Sequence, residues 1–148
     1  MWKRILVPHD FSPSANRAAA IARDEAKAHD GLILLLHVVD LPIAYSADTV
    51  VMTGGGAPIA IREYALQAAA EHVRDLADRL EADGVEVAQF VRDGRPLDEI
   101  LAFTLEHEVD VIVMGTHGRH GLAHLIAGSV AERVVRSSPV PVVTTRGP

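Results

Sequence analysis

The sequence contains no cysteine, which excludes disulfides, thiol nucleophiles and cysteine-ligated metals. It also lacks a long apolar run: the longest uninterrupted aliphatic stretch, Leu32–Leu36, falls far short of the roughly 20 residues that cross a bilayer. Near the amino end, Lys3 and Arg4 precede only Ile5, Leu6 and Val7 before Pro8. A secretory signal needs about 7–15 apolar residues there, so a cytoplasmic location is expected. Positive charge is scarce, with 14 Lys and Arg against 20 Asp and Glu and a net charge of −6. Duplex binding usually rests on a basic face that meets many phosphates, so a nucleic-acid partner is not expected.

Apolar residues make up 49% of the 148 positions and charged residues 23%, a globular composition. A chain of this length suits one domain, residues 1–148, that buries roughly two-thirds of its unfolded surface. Strand-like and helical patterns alternate along it. Ile5–Val7 is short and branched; Ser12 can cap a helix, Pro13 suits its first turn, and Ala18, Ala19, Ala22 and Ala26 keep that helix slim. Leu32–Val39 reads as a buried strand, and Asp40–Pro58, with Gly54-Gly55-Gly56 as a flexible tip, reads as a mobile loop with at most a short turn of helix. Ile61, Ala65, Ala69, Val73, Leu76 and Leu80 recur at helical spacing until Gly84, and Val85–Val91 alternates like a strand. Leu97, Ile100, Leu101 and Leu105 mark a third helix, Val109–Met114 a fourth strand, Ser129–Ser137 a fourth helix and Val140–Thr145 a last strand. The β-α alternation with near-continuous apolar strands predicts an α/β fold, a parallel sheet covered by helices on both faces.

The segment Met114–Val130, MGTHGRHGLAHLIAGSV, follows one of these strands and leads into a helix. Its skeleton is Gly115-x2-Gly118-x9-Gly128-Ser129. Glycines let a backbone wrap a phosphate chain, and the helix start at Ser129 offers outward N–H groups and the positive end of the macrodipole. Arg119, directly after the second glycine, can add a charge-assisted contact.

This skeleton resembles the nucleotide-binding signature of the universal stress protein family (UspA-like), in its ATP-binding branch. The similarity extends from Pro8-His9-Asp10-Phe11-Ser12, through Leu36-His37-Val38-Val39-Asp40, to the closing strand. It implies a single-domain, doubly wound, five-stranded parallel sheet of order 3-2-1-4-5, of the adenine nucleotide alpha hydrolase-like class. Ligands of such sheets lie outside the carboxyl ends of the strands where the winding reverses, here between strands one and four. The resemblance implies that Pro8, His9, Asp10, Val38, Met114, Gly115, Thr116, His117, Gly118, Arg119, Gly128, Ser129 and Val130 line an ATP site, with Mg²⁺ carried by the phosphates.

Bland readings stand beside these. Asp10 can serve only as a cap with Ser12, Val38 as core, and Arg119 as a solvated charge. His117, His120 and His124 are read as loop histidines rather than metal ligands, because Gly118 and Gly121 interrupt any regular helix. No G-x-x-x-x-G-K-[ST], HxGH or SGGxDS motif occurs in the relevant places, and no nucleophile–base pair is evident, so no catalytic residue is assigned. The function expected is ATP binding in a regulatory or stress-response role; slow ATP hydrolysis and a nucleotide-independent dimeric scaffold are the alternatives. Pro141 cannot donate a ladder hydrogen bond and marks the Val140–Thr145 strand as an edge. The resemblance implies that this edge pairs with its copy in a homodimer, alongside an unidentified protein partner.

Overall fold

The computed structural model describes residues 1–42, 45, 48–116 and 129–147, and of Ser129 only the backbone. Along the chain run β1 (Arg4–Pro8), α1 (Pro13–His29), β2 (Leu32–Val39), β3 (Val50–Met52), β4 (Pro58–Ala60), α2 (Ile61–Ala82), β5 (Glu86–Asp93), α3 (Pro96–Glu106), β6 (Val111–Gly115), α4 (Ser129–Ser137) and β7 (Val142–Thr145). Five strands form one parallel sheet in the order β5-β2-β1-β6-β7. Counted along those five strands alone, this is the expected 3-2-1-4-5.

The uninterrupted apolar character of the inner strands follows from burial on both faces. Ile5, Val7, Ile33, Leu35, Val111 and Val113 meet Ala18 and Ala22 of α1 and Val73, Leu76 and Leu80 of α2. Their alternates Leu6, Leu34, Leu36, Ile112 and Met114 meet Ile100 and Phe103 of α3 and Ala131 and Val134 of α4. Each fully buried aliphatic or phenyl side chain contributes about 1.5–3 kcal/mol. On the first face α1 presents only small side chains, so its backbone lies close to the sheet. Its start is fixed as expected: Ser12 is the N-cap, accepting from the Ala15 amide at 3.2 Å, with Pro13 in the first turn.

The segment read as a loop contains more order than its sequence suggested. β3 and β4 pair antiparallel, Val50 opposite Ala60 and Met52 opposite Pro58, around a turn closed by the Gly56 amide on the Thr53 carbonyl at 2.9 Å. Three-residue strands are too short to show a period, and the hairpin is secured from outside by the Ile61 amide on the Thr49 carbonyl. Element ends also shift by a residue or two. Val109 and Asp110 precede β6, their amides bonded to Thr104 and Arg4 carbonyls, and Val140 is turned by reciprocal bonds with Ser138 Oγ.

Candidate functional site

The sheet reverses its winding between β1 and β6. From β1 the chain proceeds to β2 on one side, whereas from β6 it proceeds to β7 on the other. β1 pairs with β2 as far as Pro8, but its pairing with β6 reaches only Leu6 opposite Ile112. Beyond that point the two carboxyl ends diverge, which is how a doubly wound sheet opens a crevice.

One wall is the turn after β1. The His9 amide donates to the Leu36 carbonyl at 2.8 Å, continuing the strand by one residue. Phe11 then takes a left-handed backbone, φ 64°, its amide donating to His9 Nδ1 at 3.0 Å. Asp10 Oδ1 accepts from the Ser12 amide at 3.0 Å and so holds the turn that leads into the helix, while the cap that Asp10 was read as sharing is supplied by Ser12 alone. Asp10 remains partly exposed.

His9 is only 3% exposed. Because Nδ1 accepts from Phe11, the neutral ring carries its proton on Nε2, which is buried without a hydrogen-bond partner. Burial drives its pKa down to about 4; the Asp10 carboxylate and the Asn16 side chain act upward, and His37 and Arg79 downward. The Phe11 ring touches three imidazoles: His9, His37 and His72, with centroids 5.2, 4.8 and 5.3 Å away. His37 Nδ1 donates to the His9 carbonyl at 2.7 Å, which fixes its tautomer. Sequence reasoning placed His9 in the wall but missed this cluster. His72 is far along the chain from Phe11, and no local pattern marks it.

The opposite wall begins with Gly115 at the end of β6. A side chain there would strike Ser14 Oγ and come within 2.7 Å of the Ser14 carbonyl carbon and Ala15 nitrogen. The close approach that this glycine permits is thus made by the first turn of α1. Thr116 follows, bound through its amide at 2.9 Å and its hydroxyl at 3.2 Å to the Thr145 carbonyl of β7. Met114 is buried, and Val38 and Val130 are half-buried against the α3 and α4 side of the core. Pro8 is buried at the end of β1. His117, Gly118, Arg119, His120, His124 and Gly128, and the Ser129 side chain, lie outside the described residues. Among the described residues no group of three or more His, Asp or Glu is arranged for a metal ion.

The described walls define a doubly wound α/β domain with a crevice at its switch point. The family model described as universal stress protein family matches residues 1–146. Universal stress protein MJ0531 of Methanocaldococcus jannaschii is 31% identical over 148 residues, covering 100% of this chain and 84% of that protein. The solved structure of protein MJ0577 superposes with a TM-score of 0.81 at 27% identity, covering 100% of this chain and 98% of the other. A universal stress protein in complex with cAMP superposes with a TM-score of 0.70 at 21% identity, covering 98% and 97%. The chain belongs to the universal stress protein family.

Proposed function

We propose that this protein binds an adenine nucleotide, ATP with Mg²⁺ foremost, in the crevice between β1 and β6, and that occupancy serves regulation in a stress response. The observation that carries this reading is the Gly115-x2-Gly118-x9-Gly128-Ser129 connection leaving β6 at the switch point and entering α4. The cAMP complex of a protein of the same fold supports an adenine ligand. In this reading the backbone at Val38 meets the adenine edge, and Pro8, His9 and Asp10 flank the ribose and phosphates. Met114 to Arg119 and Gly128 to Val130 wrap the phosphate chain. Asp10, partly exposed, is the carboxylate suited to a water-bridged Mg²⁺. Attraction has to be local, from amides, Arg119 and the cation, because the net charge of −6 repels ATP at long range.

The protein functions in the cytoplasm as a homodimer paired through the edge strand β7. Hydrolysis, if present, is slow, with Asp10 or a histidine orienting water; a nucleotide-independent scaffold is the remaining alternative. Nucleotide released from freshly purified, denatured protein identifies the ligand. Calorimetric titration with ATP and Mg²⁺ should then show Gly118→Val and Gly128→Val weakening binding by about tenfold or more while circular dichroism is unchanged. Undiminished affinity in a folded Gly128→Val protein would sink the phosphate assignment, and turnover measured in parallel separates ligand from substrate.

A further inference from the structure

The second free edge of the sheet is β5, whose one ladder partner among the described residues is β2. Its eight residues contain no proline, and its centre, Val87–Val91, carries no charge. An edge of this kind presents unpaired main-chain groups to any extended segment that can reach it. Beside it runs the row of α2 residues at four-residue spacing, Arg62, Leu66, Ala70 and Arg74. Arg62 is held to Asp93 at the carboxyl end of β5, Nε to Oδ2 at 2.6 Å. Further down, Ala70, Val73 and Arg74 face Gln89, Phe90 and Val91 across an open cleft of about 290 Å³. The small alanine leaves room there, and Arg74 makes no hydrogen bond or ion pair among the described residues.

We propose that the β5 edge takes up an extended segment of a partner protein by strand addition. An aliphatic side chain of that segment fills the cleft by Ala70 and Val91, and an acidic side chain two residues away meets Arg74. Main-chain ladder bonds provide general affinity in this mode, and alternate side chains, which share a face, provide selectivity. The carboxylate is matched by the donor fork of a solvent-facing guanidinium that forms no ion pair among the described residues. A second copy of this chain is a poorer occupant. The side chains that β5 itself turns toward α2 are Val87, Gln89, Val91 and Asp93, and Asp93 is already engaged by Arg62.

The probe is an acetylated, amidated synthetic peptide, Thr-Thr-Val-Thr-Asp-Thr-Thr, titrated at millimolar concentration into the ¹⁵N-labelled full chain. Amide shifts are expected at Val87–Val91 and Ala70–Arg74. Ala70→Leu, which fills the cleft, and Arg74→Glu should each weaken binding by about tenfold while circular dichroism is unchanged. A peptide with lysine in place of aspartate should bind poorly to the wild type and recover on Arg74→Glu. No shift along β5, or binding indifferent to both variants, overturns the proposal. Shifts along β5 that depend on protein concentration without peptide assign the edge to a second copy and overturn it equally.

Discussion

His9 makes the protein acid-sensitive in a way that can be worked out beforehand. Its imidazole is neutral in the folded chain down to about pH 4, whereas in the unfolded chain it takes up a proton near 6.5. Between these values the unfolded state binds more protons, so stability rises with pH and is lost as pH falls. The contribution is fully present above the unfolded value, amounts to a loss of about 2 kcal/mol at about pH 5, and levels off near 3 kcal/mol below about pH 4. The cause is the burial of the ring, and the atom that would take the added proton, Nδ1, already accepts from the Phe11 amide. Urea unfolding of the wild type and of His9→Gln, which keeps an acceptor for the Phe11 amide, isolates this effect because every other titrating group is common to both. Between about pH 7.5 and 5 the wild-type midpoint should fall by about 1 M more than that of the variant, for a denaturant slope of about 2 kcal/mol per M. Equal pH slopes in the two proteins, or a His9 ring proton that titrates near its ordinary value by NMR, would refute the reasoning.

Gly115→Ala should destabilise the protein by about 2–3 kcal/mol in the same unfolding assay, because the added methyl meets the backbone of the first turn of α1 as well as Ser14 Oγ. An unchanged midpoint would show that α1 yields more easily than its packing implies. The homodimer is checked by sedimentation equilibrium: wild type should sediment as a dimer at micromolar concentration and Val143→Pro as a folded monomer. A monomeric wild type, or a variant that stays dimeric, places the interface away from β7.

The layered architecture was legible because each inner strand is an unbroken apolar run and each helix repeats its apolar residues at three and four. Hairpin β3–β4 escaped because its strands are three residues long and are held by contacts outside themselves. Gly115 was read from the sequence as a point of close approach for a ligand; the neighbour that comes close to it in the fold is the first turn of α1, distant in the chain and revealed by no local pattern. Asp10 and Ser12 behaved as turn and cap chemistry dictates. His9 was selected for its place beside the crevice; its burial depends on how α1 and α2 close over the strand end, which is a tertiary property. The residues from His117 to Gly128 lie outside the described structure, so their part of the site rests on spacing and family membership.

The alanine face of α1 gives the two sides of the sheet unequal tolerance to sequence drift. Under α3 and α4 the core is built from Leu, Ile, Phe and Met, whose volumes can be exchanged among neighbours if the total is kept. Beneath α1, Ala18, Ala19, Ala22 and Ala26 are already the smallest side chains available, and each is at most 2% exposed. Enlargement there forces the helix off the strands, and removal to glycine weakens the helix itself by roughly 0.5–1 kcal/mol per site. The α1 contact therefore fixes volume residue by residue, whereas the α3 and α4 side fixes only hydrophobicity and the summed volume.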